Sequence, residues 1–170
     1  ALLGLGLLCA AAPLIAASPT VLITGSNRGI GLALVRDYAQ RGWHVIATAR
    51  RPGEATELQQ LAVAQKNVQL EALDVTDHAM IDALAARLKN QPIDVLIHNA
   101  GISGSVPAQT FGKMNYGVFR DTLEVNTIGP LKLSEALIGN LRAGTQKKII
   151  LIGTSEASFA GIDAARLYFY

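Results

Sequence analysis

The chain has 170 residues, half of them hydrophobic and 16% charged, a composition that suits one globular domain with its own core and excludes disorder. Fifteen basic against thirteen acidic residues leave a net charge of +2, and no basic cluster with interleaved aromatics occurs, so no nucleic-acid partner is expected. The single cysteine, Cys9, excludes an internal disulfide, and no Cys/His group has metal-ligand spacing.

Residues 1–18 read as an apolar N-terminal extension. Small residues (Ala16, Ala17, Ser18) stand where a signal peptide would be cleaved, but no basic region precedes them in the sequence given. The run is shorter than the roughly 20 apolar residues of a spanning helix, so no stable membrane span is expected. A cytoplasmic location is the expectation; secretion or membrane association follows if residues 1–17 act as a signal or anchor. Residues 19–170 form the expected domain.

From Thr20 onward, short β-branched runs alternate with amphipathic stretches. Thr20–Ile23 reads as a first strand and Ile30–Gln40 as a helix, closed by Gly42. His44–Thr48 is a second strand. Pro52 and Gly53 mark a loop, and Glu54–Gln65 a second helix. Val68–Ala72 is a third strand, after which Thr76 or Asp77 caps a helix running to about Asn90. Pro92 stops it. Ile93–Ile97 is a fourth strand, apolar enough to be buried on both faces. A helix is expected from about Gly117 to Leu141, with Pro130 kinking or dividing it. Lys148–Ile152 is a fifth strand. This alternation predicts an α/β fold, a doubly wound parallel sheet in a three-layer αβα arrangement. His44, His78 and His98 are scattered and read as structural or exposed.

Thr24-Gly25-Ser26-Asn27-Arg28-Gly29-Ile30-Gly31 joins the first strand to the first helix. Glycines at these offsets permit a sharp turn and a close approach to a phosphate, and the helix N-terminus offers unpaired N–H groups to a pyrophosphate. The Thr-Gly-x-x-x-Gly-x-Gly spacing resembles that of short-chain dehydrogenases/reductases, which are Rossmann-fold proteins, and the resemblance continues through residues 20–155. Within that family, Leu167-Tyr168-Phe169-Tyr170 resembles the C-factor and sniffer-like carbonyl reductase branch, which implies that the last strands are missing from the chain at the C-terminus.

The resemblance assigns roles by position. Members that prefer NAD carry an acidic residue at the end of the second strand; here Ala49 is followed by Arg50 and Arg51, and Arg50 with Arg28 would hold a 2′-phosphate. NADP(H) is therefore favoured over NAD(H). Asp74-Val75 resembles the pair that meets the adenine. His98-Asn99-Ala100-Gly101 resembles Asn-Asn-Ala-Gly, whose last three residues line the cofactor. Asn126, in Glu124-Val125-Asn126-Thr127, takes the place of the catalytic Asn that holds a water in a proton relay. Thr154 or Ser155 takes that of the serine that polarises the substrate carbonyl. Tyr170 is favoured as the catalytic tyrosine, with Tyr168 as the alternative; the family's lysine four residues on would lie past the last residue given.

The resemblance thus implies an NADP(H)-dependent oxidoreductase passing a hydride between nicotinamide and a small carbonyl or alcohol substrate, with the fragment itself inactive. A homo-oligomer is compatible with it. The rival readings are a dinucleotide-binding module without turnover, such as a redox sensor, and a structural protein that keeps only the fold.

Overall fold

In the computed structural model, residues 18–154 are described. Five parallel strands form its sheet: β1 (Thr20–Ile23), β2 (His44–Ala49), β3 (Val68–Ala72), β4 (Val95–His98) and β5 (Lys148–Leu151), in the order β3-β2-β1-β4-β5. Val21 lies beside Val45 on one side and Val95 on the other, and Ile23 beside Ala47 and Ile97. The chain builds outward from β1 through β2 to β3, then crosses back to place β4 against the other side of β1. This reversal opens a crevice at the C-terminal ends of β1 and β4, the point where open α/β sheets bind ligands.

The period-two alternation of the strands divides the core into two layers. Val21, Ile23, Val45, Ala47, Val95 and Ile97 face one side, where Leu32, Val35 and Ala39 of α1 (Gly29–Gln40) and Leu58 of α2 (Thr56–Ala64) cover them. Leu22, Ile46 and Leu96 face the other. There they meet Ile81 and Leu84 of α3 (His78–Arg87), Leu133 of α5 (Gly129–Ala136) and Leu141 of α6 (Ile138–Ala143). Helices therefore cover both faces of the sheet, as the strand–helix alternation predicts.

Several boundaries differ from the sequence reading. Asp77, not Thr76, caps α3, its side chain accepting the Met80 N–H at 3.0 Å. A 3-10 turn, Pro52–Glu54, precedes α2, which starts at Thr56. The fourth strand begins at Val95, and α3 ends at Arg87. The expected single helix from Gly117 to Leu141 is four pieces: α4 (Tyr116–Leu123), a π-helical turn (Glu124–Ile128), α5 and α6. Pro130 has no N–H to donate and its ring excludes a regular preceding turn. The chain meets this by widening the turn before it, so that the Gly129 N–H bonds Glu124 O. Pro130 then sits in the first turn of α5, where it is tolerated, and the break falls later, at Leu137.

No helix among the described residues is long and apolar enough to cross a membrane. The apolar segment 1–17 and residues 155–170 lie outside the described residues, and with them Cys9, Ser155, Tyr168 and Tyr170.

Candidate active site

The loop after β1 is tied down before it reaches the helix. Thr24 is buried; its N–H donates to Ile97 O at 3.0 Å and its hydroxyl oxygen accepts the N–H groups of Asn99 and Ala100, each at 3.1 Å. The Asn99 amide donates back to Thr24 O at 3.0 Å and Gly25 O at 3.1 Å. Ser26 is buried too, its hydroxyl on Ile23 O and its N–H on Thr48 O, both at 2.9 Å. Two glycines make this closure sterically feasible. A Cβ on Gly25 would meet the Ala100 backbone, in a residue at φ +68°; one on Gly31 would collide with Gly25 O and Asn99 Nδ2.

With the loop fixed, α1 begins at Gly29. Arg28 stands at its N-cap in extended backbone with no side-chain cap, and no acidic residue occupies the first turn. The N–H groups and the positive dipole end of a twelve-residue helix thus face the crevice without an internal anion to satisfy them. A cleft of about 480 Å³ opens there, a size usual for ligand sites. Gly25, Asn27, Arg28, Gly29 and Ile30 line it from the loop, Arg50 from the end of β2, Asp74 and Val75 from the end of β3, and Asn99, Ala100 and Gly101 from the end of β4. Four segments remote in sequence therefore converge on one crevice. Thr24, Ser26 and Gly31 do not line it; they brace the loop that does.

A second cleft adjoins the first, sharing Ala100, Gly101 and Ile102, with a volume of about 430 Å³. Asn126 and Thr154 line it, together with His98, Ser103, Pro130 and Ile152. Asn126 comes from the π-helical turn, and its amide bonds the Ile102 backbone. Ser155, Tyr168 and Tyr170 are outside the described residues, so Asn126 and Thr154 are the expected catalytic positions that the fold can be seen to bring together.

His98 is 4% exposed, in keeping with the structural reading, and it also lines this second cleft. Its Nε2 lies 2.9 Å from Ser134 Oγ. Ser134 donates its own proton to Pro130 O at 2.7 Å, so its oxygen accepts and Nε2 carries the hydrogen. Nδ1 is buried with no partner. Burial pushes the imidazole down to about 4, so the ring is neutral near pH 7. Arg51, Glu54, Leu73 and Val125 also line the first cleft; Arg51 stands beside Arg50 in the sequence, but nothing in a linear pattern places Glu54 in the same cleft. No three His, Cys, Asp or Glu side chains among the described residues come together as a metal would require.

A family model described as short chain dehydrogenase matches residues 19–169. The chain belongs to the short-chain dehydrogenase family. A short chain dehydrogenase of Penicillium aethiopicum is 35% identical over 151 residues, which cover 84% of this chain and 59% of the relative. The (+)-neomenthol dehydrogenase of Arabidopsis thaliana is 31% identical over 163 residues, covering 83% and 55%. Among solved structures, an NADPH-bound carbonyl reductase from chicken fatty liver is 35% identical with a TM-score of 0.78, covering 86% of this chain and 63% of that one. A carbonyl reductase from Pseudomonas aeruginosa in complex with NADP is 34% identical, also with a TM-score of 0.78, covering 87% and 67%. The short-chain dehydrogenase described here spans little more than half the length of these curated relatives.

Proposed function

We propose that the protein containing this chain is an NADP(H)-dependent oxidoreductase acting on a small carbonyl or alcohol substrate. The observation that carries this reading is the charge around the first cleft. Arg28 and Arg50 both line it, neither with an acidic partner among the described residues, and buried Ala49 occupies the end of β2 where a carboxylate would serve NAD. Two open guanidiniums suit a 2′-phosphate, which each can grip through paired N–H donors. The carbonyl reductases cited above, solved with NADPH or NADP, support the same reading.

The residues present fit such a cofactor. The uncapped N-terminus of α1 and the loop from Gly25 to Gly29 would receive the pyrophosphate. Asp74 would meet the adenine: its Oδ1 is already held by Thr76, through the N–H at 3.0 Å and the hydroxyl at 2.8 Å, which fixes the carboxylate at the cleft edge. Asn99, Ala100 and Gly101 would back the nicotinamide ribose. A bound dinucleotide supplies the hydride. The chain's own part is to donate a hydrogen bond to the substrate oxygen from Thr154 or Ser155 and to move a proton through Tyr170, with Asn126 supporting the relay.

Titration with NADPH and NADH tests the cofactor reading: tighter NADPH binding is expected, and tighter NADH binding would overturn it. Oxidation of NADPH across a panel of neutral aldehydes and ketones, using the whole protein, tests turnover. Binding without hydride transfer on any substrate would replace the enzyme by the non-catalytic module.

A further inference from the structure

The cleft holds a third guanidinium, and it is not open. Arg51 lines the cleft beside Arg28 and Arg50, but its Nη1 lies 3.2 Å from Glu54 Oε1 and 3.1 Å from Oε2. The backbone turn brings the two residues together. Pro52 starts the 3-10 turn with a fixed φ, and the Glu54 N–H closes it on Arg51 O at 3.0 Å. Residues three apart then lie on one face, which brings the carboxylate within reach of the guanidinium.

We propose that Glu54 is a specificity-determining residue of the cofactor cleft, holding Arg51 back from the 2′-phosphate and so limiting the preference for NADP(H) over NAD(H). This rests on the NADP(H) reading above. Two effects act in the same direction. The carboxylate occupies a cation that the phosphate would otherwise recruit, and its charge, lining the same cleft, opposes a second anion. A 2′-hydroxyl carries no charge, so at that position neither effect acts on NAD(H), and the charge on the pyrophosphate is common to both cofactors. The ion pair is loosely held: the side chains are 75% and 66% exposed, and solvent screens such pairs strongly. Arg51 therefore has a low barrier to changing partner once Glu54 stops competing. Asp74, the other carboxylate in the cleft, leaves the neighbouring parallel strand β3 at the same sheet edge, where Thr76 holds its Oδ1 while Arg51 pairs with Glu54.

The test is a set of cofactor titrations on the wild-type chain, E54Q, R51A and the double variant R51A/E54Q. Both substituted side chains are exposed and make no buried contact, so all four proteins should fold alike, which circular-dichroism melts check. E54Q is expected to tighten NADPH binding about two- to fivefold, the range of one exposed charge contact. NADH binding should stay unchanged. The gain should fade near 0.5 M salt, where the screening length falls to a few ångströms, and should shrink when Arg51 is absent. No gain for NADPH, an equal gain for both cofactors, or a gain undiminished in the R51A background would each overturn the role of Glu54. A wild-type chain that binds NADH more tightly would overturn the NADP(H) reading itself, and the proposal with it. A wild-type preference for NADPH that ignores E54Q removes only the proposal.

Discussion

The side chain of Asn126 pairs with the backbone of Ile102 in both directions: Oδ1 accepts the Ile102 N–H at 2.9 Å and Nδ2 donates to Ile102 O at 2.7 Å. An amide can complete such a pair at neutral pH because it carries a donor and an acceptor side by side. The pair joins the π-helical turn to the segment leaving β4, so it positions the wall shared by both clefts.

Asn126→Ala should therefore cost about 1–2 kcal/mol of stability, the net worth of two hydrogen bonds, read from urea unfolding. Asn126→Asp keeps the acceptor, loses the donor and sets a carboxylate against Ile102 O. It should do no better than Ala, and a variant as stable as wild type would show that the pair is not what holds this wall.

Gly31→Ala should abolish cofactor binding before it abolishes the fold. The new Cβ would collide with Gly25 O and Asn99 Nδ2, the two groups whose contact shapes the phosphate-facing loop. Gly53→Ala is the control: a Cβ there meets nothing within 4 Å, and stability should stay within about 0.5 kcal/mol of wild type. Equal NADPH affinity in both variants would refute the steric account.

Asp94 knots the opposite end of the sheet, away from the clefts. Its carboxylate accepts the Thr20 N–H at 2.8 Å, the Thr145 N–H at 2.7 Å, the Thr145 hydroxyl at 2.6 Å and the Gln146 N–H at 3.3 Å. Burial alone would raise its pKa; the Thr145 hydroxyl and the backbone N–H groups of Thr20, Thr145 and Gln146 outweigh it and hold the carboxyl below its ordinary 3.8. A depressed folded-state pKa contributes stability that is present above the unfolded value and lost as pH falls through the folded one. Asp94→Asn should cost about 2–4 kcal/mol at pH 7 and flatten the acid limb of the stability curve below pH 3.8. Thermal melts from pH 7 to pH 2 measure both effects.

His98 gives the second pH dependence, in a separate window. Its ordinary pKa of 6.5 falls to about 4 through burial. The unfolded chain thus binds a proton that the folded chain refuses, and stability should rise with pH between these values and be lost as pH falls through them. The full contribution is about 3 kcal/mol. His98→Asn should remove this slope while leaving the Asp94 limb in place. A wild-type melt that is flat between pH 7 and pH 4 would mean that the ring is not buried in its neutral form.

Much of the architecture was legible in the sequence because it is local. The β-branched runs at Thr20–Ile23, His44–Thr48 and Val68–Ala72 and the helical spacing between them follow from side-chain periodicity, and periodicity is set by neighbours in the chain. The glycine loop from Thr24 to Gly31 was legible for the same reason, since backbone freedom at fixed offsets is a property of the residues themselves. Tertiary structure decided what depends on distance across the fold. It split the long helix at Leu137 and wound the Glu124–Ile128 turn wide, because Pro130 had to be accommodated while α5 stayed packed on the sheet. It separated the residues that brace the loop, Thr24, Ser26 and Gly31, from those that line the cleft. It also buried His98 against Ser134, thirty-six residues away, and brought Glu54 into the cleft that Arg28 lines. A sequence states which charges a chain carries; only the folded sheet sets which of them share a cavity, because electrostatic and hydrogen-bond energies depend on distance in space and burial rather than on order along the chain.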